Sequence, residues 1–182
     1  NMARKYMSST EDRYQRAIQA SQKSGRLNLG FIDLRDKTID AKSLMVKEVT
    51  LHMNRTSDYS FVADFPCLKA LRIHGKVDDF DFLKECKDLT RISFAHTGFN
   101  DLSLIKDMPI RRLELREEHV SNMDLIYQMK DLKELMLSRN LAESIDLERL
   151  KEANPDVTVH SLQEMEEIIS GLDKYRNYRI GE

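Results

Sequence analysis

Leu68-Lys69-Ala70-Leu71-Arg72-Ile73 decides the fold, because the same pattern comes back along the chain. It reads apolar, two variable, apolar, one variable, apolar. It stands earlier as Val46-Lys47-Glu48-Val49-Thr50-Leu51. It returns as Leu89-Thr90-Arg91-Ile92-Ser93-Phe94, Ile110-Arg111-Arg112-Leu113-Glu114-Leu115 and Leu132-Lys133-Glu134-Leu135-Met136-Leu137. Asn154-Pro155-Asp156-Val157-Thr158-Val159 is a degenerate copy, and Arg26-Leu27-Asn28-Leu29 a partial one. First residues at 46, 68, 89, 110, 132 and 154 give steps of 22, 21, 21, 22 and 22. The alternation closing each copy predicts a strand.

The second half of each unit repeats too. Val77-Asp78-Asp79-Phe80-Asp81-Phe82-Leu83 parallels Phe99-Asn100-Asp101-Leu102-Ser103-Leu104-Ile105 and Val120-Ser121-Asn122-Met123-Asp124-Leu125-Ile126. Ser144-Ile145-Asp146-Leu147-Glu148-Arg149-Leu150 is a weaker echo. Each has an apolar residue, an Asp or Asn turn, then an apolar cluster that predicts a short helical or extended piece. One unit cannot bury its apolar side alone; stacked neighbours make a continuous core.

At these residues the sequence resembles the leucine-rich repeat family, whose pattern is L-x-x-L-x-L-x-x-N/C-x-L. The unit length and the later Asp-Leu element are similar to the short, internalin-type class and point to a bacterial protein. The resemblance covers roughly residues 26–159. It implies an α/β solenoid, with a curved parallel sheet on the concave face and turns and short helices on the convex face. The Asn position holds Asn54 and Asn140, with Thr97 a plausible substitute, but Lys76 and Glu118 elsewhere. In the family that side chain satisfies backbone groups in the turn, so Lys76 and Glu118 predict looser or rearranged turns.

The ends of such a stack need covers. Residues 9–24 read as a helix, with Ser9 or Thr10 as N-cap, Tyr14, Ala17, Ile18 and Ser21 on one face, and Gly25 as the stop. Ser161 and Glu164 form a capping-box pattern ahead of a stripe of Leu162, Met165, Ile168, Ile169 and Leu172. The expected division is a capping helix over 1–25, repeats over 26–160, and a C-terminal helical cap and tail over 161–182.

Composition sets the outer bounds. A chain of 182 residues suits one domain with a real core. Its 29 basic and 31 acidic residues nearly cancel, which weighs against a nucleic-acid partner. No run reaches the length of a membrane span, and no apolar leader opens the chain. Two cysteines are too few for a disulfide scaffold and suit a reducing compartment. A cytoplasmic, monomeric protein is expected, with a trimmed signal or another export route left open.

Alternation along each strand points the first, fourth and sixth residues of a unit inward and the third, fifth and seventh outward. The resemblance implies that the outward, concave face binds partners. The residues expected to do so are Thr50, His52, Arg72, His74, Arg91, Ser93, Arg112, Glu114, Arg116 and Met136. The arginines could grip carboxylates or phosphates in bidentate fashion. The plainer reading is a solvated face in which Arg112 and Arg116 flank Glu114.

His52 and His74 should stand side by side on adjacent strands, with His96 one position further along. Three histidines could gather a metal, but no acid or cysteine completes a ligand spacing, so none is expected. Cys86 reads as core packing, and Asp78-Asp79 as a structural turn rather than a catalytic pair. No P-loop, dinucleotide fingerprint or hydrolase motif occurs, and neither cofactor nor catalysis is expected. The expected function is therefore protein–protein interaction, as an adaptor or effector. The alternatives are a regulatory or inhibitory subunit of an enzyme or toxin, and an enzyme or metal site at the His/Arg patch.

Overall fold

The computed structural model describes residues 2–162. Helix α1, Met2–Ser24, opens the chain. Seven strands follow: β1 Arg26–Asn28, β2 Glu48–His52, β3 Ala70–His74, β4 Arg91–Ala95, β5 Arg112–Arg116, β6 Glu134–Leu137 and β7 Thr158–Ser161. They form one all-parallel sheet whose spatial order is the chain order. Such an order is compatible with a solenoid-like arrangement.

Pairing follows the sequence pattern closely. Arg26, Glu48, Ala70, Arg91, Arg112 and Glu134 lie in register, at steps of 22, 22, 21, 21 and 22 residues. At the entry to each of β2 to β6 one carbonyl accepts two successive amides. Gly25 receives Lys47 and Glu48, Lys47 receives Lys69 and Ala70, and Lys69 receives Thr90 and Arg91.

The fourth and sixth residues of each unit are buried. Leu71, Ile73, Ile92, Phe94, Leu113, Leu115, Leu135 and Leu137 are all 2% exposed or less. Burying each is worth roughly 1.5–3 kcal/mol, so the apolar ladder is the main cohesive force. Across the core from the strands, 3-10 turns begin at Ser60, Asp81, Leu102 and Met123, each 21 residues after the last. Asp58, Asp79 and Asp101 each accept the amide two residues on, which fixes the bend into these turns. After β6 the turns give way to two short helices, α2 Arg139–Glu143 and α3 Leu147–Ala153.

Two expectations need correction. Helix α1 begins at Met2, so Ser9 and Thr10 lie inside it rather than at its cap. The preceding Ala, Arg, Lys and Met residues are good helix formers with no Gly or Pro to stop them. The last copy also pairs two residues later than the 22-residue step implies: Leu135 faces Val159, and Leu137 faces Ser161. Helices α2 and α3 consume the extra chain, and a slip of two keeps the same side chains inward. Asn154 still stands opposite Leu132, and its Nδ2 donates to the Leu132 carbonyl at 2.6 Å.

The face expected on α1 is present. Tyr14 and Ser21 are buried, and Ala17 and Ile18 pack beside them on the core. Gly25 has a φ of 72° and donates to the Ser21 carbonyl, a left-handed helix stop. At the other end Leu162 is buried. Glu164, Met165, Ile168, Ile169 and Leu172, and with them the expected C-terminal cap, lie outside the described residues.

Candidate functional site

The outward face of β2–β5 forms an open groove of about 280 Å³. Thr50, Arg72, Arg91, Ser93, Arg112 and Glu114 line it together with Glu48. Register explains the grouping: Thr50, Arg72, Ser93, Glu114 and Met136 stand in one row across five strands. Glu48, Ala70, Arg91, Arg112 and Glu134 make the row beside it.

Most of the charge in these rows is compensated. Arg91 reaches across the small side chain of Ala70 to pair with Glu48, two strands away. Glu48 also takes Arg26 at 3.4 Å. Arg112 pairs with Glu134 at 3.7 Å, and its Nη2 lies 3.9 Å from the Met136 sulfur. Glu114 accepts a hydrogen bond from Ser93 Oγ at 2.7 Å and lies 3.8 Å from Arg116 Nε. These pairs are mostly exposed and individually weak, but they fix where the guanidinium groups sit. Arg72 alone of the four expected arginines has no ion pair or side-chain hydrogen bond among the described residues.

His52 and His74 stack, with ring centroids 4.4 Å apart and planes 9° from parallel. Phe31 lies tilted against His52 at 4.3 Å, and His96 tilted against His74 at 5.6 Å. Burial, and after it the charges of His52, His96 and Arg116, push His74 below its ordinary pKa, with Glu117 acting the other way. The neutral imidazole is thereby favoured at His74, which offers an aromatic face rather than a charge. Among the described residues, no group of three His, Cys, Asp or Glu is placed to hold a metal ion.

The stack depends on how the chain leaves its strands. Phe31, Met53, Gly75 and His96 occupy equivalent places, and each donates its amide to the carbonyl of the next strand, at His52, His74, Ala95 and Arg116. All four have positive φ, at 64°, 51°, 117° and 52°. A left-handed backbone costs a non-glycine residue roughly 1–2 kcal/mol. It also turns the Phe31, Met53 and His96 side chains outward, where all three are exposed.

The pattern ends at Glu117, which sequence reasoning missed. Its carboxylate, 6% exposed, turns back to the preceding turn and accepts from Thr97 N at 2.8 Å, Thr97 Oγ1 at 2.6 Å and Gly98 N at 3.3 Å. Asn54 works from the Asn position of the repeat pattern, donating to the Leu29 and Ile32 carbonyls. Asn140 does the same toward Glu117 and Glu118. The turn at Glu118 is thus rearranged as expected, with the residue before it as the clasp. The signal available was Thr97, a short hydroxyl that needs a partner to fill the Asn position.

Cys86 is an inert core thiol. Cys86 is buried, and burial, with a lesser push from Glu85, raises its thiol to about 12. Asp78 is held by Ser57 Oγ at 2.5 Å, and Asp79 accepts the Asp81 amide at 2.7 Å, both turn-forming contacts. Among the described residues no helix is long and apolar enough to cross a membrane. No family model and no curated protein matches the chain.

Proposed function

We propose that residues 26–160 are a leucine-rich repeat solenoid, and that the chain is a non-catalytic interaction module. It binds a partner protein through the outward, concave face of its sheet. The observation that carries this reading is Arg72, an uncompensated guanidinium inside a groove whose other charges are matched. A matched groove with one free donor suits a partner that brings a single carboxylate to a defined place. A phosphate polymer would need many free cations, and this groove offers one. A regulatory or inhibitory subunit would work in the same way, its partner being an enzyme or toxin.

The test is affinity purification from the native cell with the natural chain, Arg72→Glu and Arg112→Glu. The partner recovered by the natural chain is expected to be lost from Arg72→Glu, and reduced with Arg112→Glu. Recovery unchanged in both variants would show that this face is not the interface.

A further inference from the structure

The four positions that follow β1–β4 use a backbone that favours glycine. Gly75 demonstrates that the position needs no side chain: a Cβ there would meet only Met53 atoms, at 3.8 Å. Yet Phe31 and Met53 stand in equivalent places and are 62% and 56% exposed, and His96 is exposed as well. These side chains carry a conformational penalty and return little burial to the fold. Beside them His52 and His74 stack face to face, and the Phe31 and His96 rings lie tilted against the two ends of that pair. The result is an exposed apolar and aromatic strip beyond the groove, where the strands end, with Gly75 the one position in its row without a side chain. Arg72 and His74 lie two residues apart on β3, on the same face and about 6.6 Å apart along the strand.

We propose that this strip docks an extended segment of a partner protein carrying a large apolar side chain two residues from a carboxylate. The carboxylate pairs with Arg72, and the apolar side chain lies against Phe31, Met53 and the imidazole stack. This rests on the reading of the outward face as the interface and adds the chemistry of what binds there. Charge complementarity supports the occupant: Glu48, Glu134 and Glu114 already engage Arg91, Arg112 and Arg116, which leaves room for one anionic contact. The spacing follows from the sheet, because an extended segment has the same two-residue repeat as β3.

The test uses the purified full chain as bait for a phage-displayed library of random peptides. Enriched peptides are then synthesised and titrated by fluorescence anisotropy. Enrichment of Asp or Glu two residues from Phe, Trp, Leu or Met is expected. The double variant Phe31→Gly/Met53→Gly and the single variant Arg72→Glu should each weaken binding by about tenfold or more. The glycine variant should melt within about 2 °C of the natural chain, because glycine suits the backbone there.

A fall in melting temperature beyond about 5 °C would make the strip structural and overturn the proposal. So would enrichment of peptides without the acidic-apolar pair, or no enrichment at all. If Arg72→Glu abolishes binding and the glycine variant does not, the groove is the interface and the strip proposal alone falls. If neither substitution matters, both readings fall.

Discussion

The sheet edge where the strands end is built in two different ways. After β1–β4 the chain turns left-handed at Phe31, Met53, Gly75 and His96, leaving large side chains in solvent. After β5 and β6 polar side chains hold the turns instead: the buried Glu117 clasps Thr97 and Gly98, and Asn140, at the surface, clasps the carbonyls of Glu117 and Glu118. The first end displays strained, exposed side chains with Asn54 as a buried clasp among them; the second has no left-handed residue at the equivalent places and is held by its clasps alone. The same strand pairing supports both, so the contrast reflects side-chain choice rather than topology. Buried, satisfied polar groups hold turns in place, whereas strained, exposed ones have no such structural return.

The largest expected effect concerns the cover over the displaying end. Deleting residues 1–25 removes Tyr14 and Ser21 from the side of β1 and exposes Leu27 and Leu29. Aggregation by light scattering is the expected outcome. A soluble, monomeric truncation would show that α1 is not needed there. Next comes Leu113→Ala in β5, at 0% exposure the midpoint of the shared core. It should cost roughly 2–5 kcal/mol in chemical denaturation. The exposed control Lys133→Ala should stay within about 0.5 kcal/mol. Equal losses would contradict the inward register on which both ends depend.

The clasping end is the next place to press. Glu117→Ala leaves the amides of Thr97 and Gly98 and the Thr97 hydroxyl without their acceptor. Unsatisfied buried donors cost about 1–3 kcal/mol, so a loss in that range is expected. Phe31→Gly, at the opposite end, should change stability far less. If the two variants lose equally, the distinction between a holding end and a displaying end fails.

The inward positions could be read directly, because Leu71, Ile73, Leu113 and Leu115 sit where alternation puts them. The row partners on the outward face followed from the same alternation, which is why Thr50, Arg72, Ser93 and Glu114 meet in one groove. Their pairings were harder to read. Arg91 finds Glu48 only because Ala70 is too small to separate them, a consequence of three strands at once. Phe31 and Met53 carry no sequence mark of a left-handed backbone; Gly75 alone hints at it. Glu117 was hidden by its neighbour, since the expected Asn position falls on Glu118. The chain departs from the left-handed pattern just there, so the clasping carboxylate sits one residue early. In β7 the two-residue slip arises from the length of α2 and α3, which a fixed period does not encode.

The smallest expected effect tests the turns that both ends share. Asp101 accepts from Asn122 Nδ2 at 2.8 Å and from the Ser103 amide at 3.0 Å. These bonds, the one from Asn122 foremost, hold its carboxyl below the usual range. Asp58 is lowered in the same way by Ser60, and Arg35 brings Asp33 down to about 2. A carboxyl depressed in the folded state stabilises the fold above its unfolded pKa, near 3.9, and the contribution disappears as pH falls through the folded value. Asp101→Asn should therefore lower the melting temperature by about 2 °C at pH 7, the scale for a partly exposed group. As pH falls below the unfolded value and through the lower folded one, the natural chain loses the same interaction by protonation, and the two melting curves should converge. A gap that stays constant from pH 7 to pH 2 would mean that the ionised carboxylate is not what holds this turn.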